Sequence, residues 1–355
     1  MNHNKKRVLE TILRLIKSEE KVSISLIENI VSSDVNLKQR QQFVDLVNAL
    51  KSKSINIEIN ESKSIIELSC SKINAFLNIV SDKNQKITRI EIVPVIPVIH
   101  NLEDLYHCLL NFQSSVYVSV NLDKEQIFSN CSHSKMAISS LIKLVVSAVT
   151  LEAVEEGILR LSDRYKIREV DISYLSAGIS KHHIGSELTV RELITYLLLA
   201  SDNTAMDILL RMIDLQTFKL LAKKINPQFH MSIMSTKELM RDAWCHPALT
   251  EEQWRQRSLN NVRWTDGYDY LLEPREILPF VKKMMTYAWT PYKEISKNLY
   301  KGGSAPGVLS GIWASSNQLF CFILNRKFSF NLVEELYCYR LILCFLEENN
   351  FKEEL

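Results

Sequence analysis

The chain has 355 residues, 46% hydrophobic and 24% charged, an ordinary globular balance that excludes wholesale disorder, a collagenous repeat and a membrane bundle. Its 43 Lys and Arg against 41 Asp and Glu leave a formal charge of +2, too even to indicate a nucleic-acid or anionic-membrane partner. Seven scattered cysteines with no C-x-x-C pair suggest neither a zinc site nor a disulfide framework and fit a reducing compartment.

The N-terminal stretch MNHNKKRVLETILRLIKSEE alternates charged and apolar residues at helical spacing and carries no secretory core. No apolar run approaches the roughly 18 residues of a membrane span, so the expected location is the cytoplasm. Val8, Ile12 and Ile16, then Phe43, Val47 and Leu50, predict helices, and the period changes after residue 54. Ile55, Ile57, Ile59 and later Ile87, Ile90, Ile92 alternate with polar neighbours, which predicts strands, with SDKNQK as a hairpin turn. Pro94 and Pro97 interrupt IEIVPVIPVIH, and proline cannot donate to a ladder. The expected organisation is therefore a small α+β domain over 1–98 and a second domain over 99–355.

That second domain is expected to begin with a helix around Leu102–Phe112 and a strand pair, SSVYVSVNL and QIFSN. A helical region follows from about 140 to 290, then two strands, Leu299–Ser315 and Gln318–Leu324, and a helix over Phe330–Asn349. Strands at both ends with helices between predict an α/β domain whose antiparallel sheet is closed by its N- and C-terminal pieces.

Three strings carry chemistry. A Ser-x-x-Lys spacing sets a hydroxyl and an amine one helical turn apart, where a neutral lysine can take the serine proton. The spacing starts at Ser18, Ser69, Ser132 and Ser140, so most instances are solvated helix faces; only Ser140 and Lys143 open an apolar helix, LVVSAVTLEAVEEGIL, able to bury the lysine and lower its pKa. Ser201-Asp202-Asn203 reads locally as a helix N-cap. Lys301-Gly302-Gly303-Ser304 falls in an expected strand, where glycine marks a bulge or the close approach of a ligand or a second backbone.

In this order and on these elements, the strings resemble the S-x-x-K, S-D-N and K-T-G set of the serine β-lactamase and penicillin-binding protein superfamily. GSELTVRELITYLLLASDNTAMDILL and YKGGSAPGVLS extend the likeness, which spans roughly residues 101 to 350. A preceding helix-then-sheet domain is similar to the two-domain cytosolic β-lactamase-like hydrolases of natural-product clusters, of the clavulanic-acid esterase type, whose first domain resembles a steroid-isomerase (cystatin-like) fold. The resemblance implies a β-lactamase/transpeptidase-like fold, an antiparallel sheet flanked by helices with a helical subdomain. It implies Ser140 as acylated nucleophile, Lys143 as general base, Ser201 as proton relay to the leaving group and Lys301 as a source of positive field. Asn203 binds substrate or orients Lys143, the backbone N–H groups of Ser140 and Ser304 form an oxyanion hole, and Gly302 and Gly303 let the strand approach. Gly302 departs from the family by lacking the hydroxyl of K-T-G, a place that Ser304 is expected to fill.

The deacylating glutamate of E-x-x-L-N has its nearest string at Gln256-Arg257-Ser258-Leu259-Asn260, where glutamine stands instead. His182-His183 reads as an exposed turn, and neither a metal nor a cofactor is expected. The expected activity is acyl-enzyme chemistry on a small ester, thioester or amide, as esterase, amidase or acyltransferase in natural-product biosynthesis, and inefficient toward β-lactams. The alternatives are a β-lactam hydrolase and an inactive ligand-binding protein of the same fold. The expected partner is a small acyl substrate, without nucleic acid or membrane; the sequence is silent on oligomeric state.

Overall fold

The computed structural model describes residues 3–60, 65–70, 72–121, 125–131, 135–231, 233–244, 269–295, 298–315, 318–349 and 351. Chain contacts divide it into two compact units, Met1–Phe112 with Phe330–Asn349, and Gln113–Ser329 with Asn350–Leu355.

The first unit opens with helices α1 (His3–Lys17), α2 (Ile24–Ile27) and α3 (Leu37–Ala49), the last started by a capping box between Asn36 and Gln39. Strands β1 (Asn56–Asn60), β2 (Ile65–Cys70), β3 (Ile73–Ser81) and β4 (Ile87–Val95) then form an antiparallel meander in that order, followed by α4 (Leu102–Leu110). Pro94 does not stop β4, which runs on to Val95 with Pro94 opposite Ala75. The strand tolerates it because β4 is the edge of this sheet and, among the described residues, its one outer bridge, Val31 to Ile87, lies at the far end of the strand from Pro94. The units part at Phe112, after α4, rather than at the prolines.

The second unit contains β5 (Ser115–Asn121), β6 (Glu125–Ser129), β7 (Met136–Ala137), α5 (Ile142–Glu155), β8 (Arg164–Lys166), β9 (Glu187–Thr189), α6 (Val190–Leu199) and α7 (Asn203–Ile213). It continues through α8 (Leu215–Ile225), α9 (Thr236–Trp244), β10 (Leu271–Leu272), α10 (Pro274–Thr286) and α11 (Pro291–Glu294), and ends with β11 (Leu299–Ala305), β12 (Val308–Ala314) and β13 (Leu319–Asn325). The closing helix α12 (Leu332–Glu348) packs on β2, β3, β4 and α4 in the first unit. The sheet order is β11-β12-β13-β5-β6, all antiparallel, so the C-terminal strands do close against the N-terminal pair. The single strand expected over 299–315 is two, because Pro306 and Gly307 (φ +77°) make a two-residue turn that reverses the chain.

Helix α5 is buried from Ile142 to Ala153 and contacts α6, α7, α8 and α10. A helix apolar nearly all round belongs in the centre of a domain. Of its polar members, Lys143 faces the site described below, Glu152 is paired with Lys224 (2.8 Å) and Lys283 (3.1 Å) and accepts from the Tyr287 hydroxyl (3.0 Å), Thr150 Oγ1 donates to Val146 O (2.8 Å), and Ser147 Oγ is buried with no partner among the described residues. No helix among the described residues is long and apolar enough to cross a membrane.

Candidate active site

Ser140 sits where sheet meets helix. Strand β7 pairs with β10 and is held by Asn325 of β13, whose side chain accepts from Ala137 N (2.8 Å) and donates to Ala137 O (3.0 Å). The chain then turns sharply through Ser139 (φ +49°) into a single 3-10 turn, Ser139–Leu141, that runs into α5. Ser140 thus stands at the positive end of the central helix. Two bonds pin the turn: Ser139 N donates to the Asp269 carboxylate (3.0 Å), and Ser139 Oγ donates to Ser304 O on β11 (3.0 Å).

The second string is indeed an N-cap, and that is how it places its neighbours. Asp202 caps α7 by accepting from Ala205 N (2.8 Å), while its other oxygen gathers Ser176 Oγ, Gly178 N and Ile179 N at 2.7–2.9 Å. This leaves Ser201 at φ +54° just before the cap and Asn203 at the first helical position. Both face Lys143. Its Nζ lies 3.1 Å from Ser140 Oγ, 3.2 Å from Ser201 Oγ, and 2.8 Å from both Ser201 O and Asn203 Oδ1. Asn203 is oriented in turn by its amide nitrogen, which donates to Tyr174 O (2.9 Å) and Leu175 O (3.4 Å).

On the opposite side Lys301 donates from β11 to Ser201 Oγ (2.8 Å) and Gly302 O (2.8 Å). Two cations therefore converge on one hydroxyl, and both are nearly sealed from water, at 2% and 4% exposure. Burial pushes Lys143 down to about 8, against the fields of Asp202 and Asp207, and pushes Lys301 down to about 7, helped by repulsion from Lys143. Each thus reaches the neutral form, the only one able to accept a proton, near physiological pH.

Gly303 is required by contact. A Cβ there would stand 2.5 Å from Ser310 Oγ, 2.9 Å from Ile138 O and 3.0 Å from Ser140 N, so only a bare backbone lets β11 lie this close to the Ser140 turn. Ser140 and Ser304, the two expected oxyanion donors, line one cavity of about 290 Å³ together with Lys143, Ser201 and Asn203. Ser304 is exposed, and Gly302 stands on β11 between Lys301 and Gly303.

Sequence reasoning missed several residues here. Asp269 lines the cavity; burial raises its carboxyl to about 7 although Tyr270 N and Ser139 N both donate to it. Asp207, a buried residue of α7, accepts from Thr236 N (2.6 Å) and Lys237 N (3.0 Å), clamping the start of α9 beside the cavity. Nothing local marks either aspartate, since each acts on a partner far away in the chain. Ser132 and the Gln256–Asn260 string lie outside the described residues. His182 is exposed, and His183 accepts from Ser180 N (3.2 Å) in a short turn. Among the described residues no group of three His, Cys, Asp or Glu is arranged to hold a metal.

The model of the beta-lactamase enzyme family matches residues 102–256. Among solved structures, the β-lactamase of Francisella tularensis aligns at 15% identity and a TM-score of 0.50, over 71% of this chain and 100% of that one. The chromosome-encoded β-lactamase of Vibrio parahaemolyticus aligns at 14% identity and a TM-score of 0.51, over 71% and 99%. No curated protein matches the chain. The family match is confined to residues 102–256, and the two solved structures, at 14–15% identity, share the fold. The chain's antiparallel sheet and helices have the β-lactamase-like fold, and the N-terminal unit is a small α+β domain.

Proposed function

We propose that the protein is a serine acyl hydrolase or acyltransferase that works through an ester on Ser140 and acts on small esters, thioesters or amides. The observation that carries this reading is the 3.1 Å contact between Ser140 Oγ and a lysine that burial has brought to about 8. Neutral Lys143 takes the Ser140 proton as Oγ adds to the acyl carbon, and the developing oxyanion lies toward the N–H groups of Ser140 and Ser304. Ser201 Oγ, bonded to both lysines, gives its proton to the departing alkoxide, thiolate or amine as the acyl bond breaks, and is reprotonated from Lys143. Water, an alcohol or an amine then takes the acyl group by the reverse sequence. Asn203 holds Lys143 in place, and Lys301 supplies field. Residues 1–112 and the closing helix α12 form a separate compact unit.

A β-lactam hydrolase is the second reading, favoured by the family and by the two structures just named. Two features weigh against efficient turnover. Gly302 has no hydroxyl for a substrate carboxylate, and Asp269, the one carboxylate among the described residues lining the cavity, already accepts from Ser139 N and Tyr270 N. Intact-mass measurement after incubation with p-nitrophenyl esters, thioesters and β-lactams separates the readings. The expected result is an acyl adduct from esters or thioesters that Ser140→Ala abolishes; fast penicillin turnover without preference for esters would favour the β-lactamase. Absence of any adduct on folded protein would leave a binding protein.

A further inference from the structure

The cavity has both a polar and an apolar lining. Besides the serines, Lys143, Asn203, Thr236, Asp269 and Tyr270, its wall includes Leu175, Ala177, Leu239, Met240 and Pro306. Leu239 and Met240 come from α9, whose first turn is fixed by the bonds from Thr236 N and Lys237 N to Asp207. Their side chains are half-buried and line the cavity rather than a closed core. Leu175 is stranger. It is 47% exposed and held at φ +51°, a conformation that branched and bulky residues rarely adopt. The loop that hands the Tyr174 and Leu175 carbonyls to Asn203 thereby also sets a large apolar side chain at the rim. Among the described residues lining the cavity, the one cation is Lys143, already committed to serine and asparagine oxygens, so no charged donor awaits an anionic group at the apolar end.

We propose that this wall is a seat for the acyl chain, so that the enzyme selects unbranched, uncharged aliphatic acyl donors over acetyl or carboxylate-bearing ones. The proposal rests on the acyl-enzyme reading above. An acyl carbon bonded to Ser140 Oγ sends its chain away from the lysines, toward α9 and the rim. Each methylene that leaves water there should raise the acylation kcat/KM about fourfold, the equivalent of about 0.8 kcal/mol per buried methylene, until the cavity is full. An acyl chain ending in a carboxylate should lose that gain.

The test is a series of p-nitrophenyl esters from acetate to octanoate, with a monoester of a dicarboxylic acid as the charged member, followed by burst kinetics and intact mass. In the wild type the rate should climb about fourfold per methylene over the first few steps. Leu175→Asn suits the left-handed backbone and keeps the loop while removing its apolar surface, so it should flatten the slope; Met240→Asn should flatten it further. Leu220→Asn, on the exposed face of α8 and not lining the cavity, should leave both slope and rate as in the wild type. Thermal melts report whether each variant is folded. A flat or falling series in the wild type, or a slope that survives in folded Leu175→Asn and Met240→Asn, overturns the seat while leaving Ser140 acylation standing. Failure of every donor to label Ser140 removes the acyl-enzyme reading, and the proposal with it.

Discussion

Asn203→Asp offers the sharpest test of the base, because it sets a carboxylate beside Lys143 with almost no change in shape, at the cost of the amide's donations to Tyr174 O and Leu175 O. Asn203 Oδ1 accepts from Lys143 Nζ at 2.8 Å, so the variant sets a carboxylate against the buried amine. An opposite charge at such range raises a lysine by about 1–3 pKa units, which would carry Lys143 from about 8 to between about 9 and 11. At pH 8 about half of Lys143 is neutral in the wild type; after the shift the neutral share falls to between roughly one tenth and one thousandth. Acylation at that pH should therefore slow by about 5- to 500-fold and recover as pH climbs through the displaced limb. Burst-phase release of p-nitrophenolate, followed from about pH 6 to about pH 10, reads both the wild-type limb and its displacement. A uniform loss of rate with the limb unmoved would refute the assignment: Asn203 would then serve in positioning substrate, and Lys143 would not be the titrating base.

Two further outcomes follow from the same geometry. Gly303→Ala puts a methyl against Ser310 Oγ, Ile138 O and Ser140 N; it should cost about 1–3 kcal/mol of stability and, by shifting an oxyanion donor, about 10²–10³-fold in acylation, with Gly303→Ala/Ser310→Ala recovering little because two backbone contacts remain. Thermal denaturation and burst rates check it, and near-wild-type behaviour would contradict the close approach. Lys301→Met should lower activity yet change stability in a pH-dependent way. The folded state holds the Lys301 proton less tightly than the ordinary lysine value of 10.5, so ionisation opposes folding: the penalty is complete below about pH 7, fades as pH rises toward the unfolded value and vanishes above it. The Tm of Lys301→Met relative to wild type should accordingly be higher at pH 6 than at pH 10, and a difference that does not vary with pH would mean that Lys301 is not destabilised by its burial.

The parts of this fold that were legible from sequence are those decided locally. The apolar run after Ser140 predicts a central helix because no face of it is polar enough for water, and α5 is buried nearly throughout. Alternation predicts the strands of both sheets, and the capping reading of Ser201-Asp202-Asn203 is correct for Asp202. What was misread depended on neighbours. Pro94 is tolerated because β4 is a sheet edge whose outer bridge, Val31 to Ile87, lies at its other end, which no local pattern reports. The extra strand was marked by Pro306-Gly307, a turn signal inside a run whose alternation otherwise continued. For the site, strings of three or four residues name side chains that the structure does bring together around Ser201 Oγ, yet they are silent on Asp269, Asp207 and the α9 wall. These act across long stretches of chain, on backbone N–H groups and cavity surface rather than within a motif.

The site is also where local preference and structure most conflict, and the conflict has a common cause. Ser139 and Ser201 both occupy the left-handed region, which costs an L-residue with a Cβ about 1–2 kcal/mol, and two lysines are buried within reach of one hydroxyl. None of these features helps the domain fold. Each instead aims a group at the same small volume: the Ser139 turn sets Ser140 at the start of α5, the Ser201 backbone delivers its carbonyl and its hydroxyl to Lys143 together, and burial lowers the Lys143 amine toward its neutral form. Strain of this kind persists only where the surroundings over-determine it. Here they do so twice, through Asp269 and Ser304 holding Ser139 and through Asp202 binding the start of α7 to the 176–179 loop. The core around α5, which needs neither lysine nor strained serine, supplies the stability that lets such a site be carried.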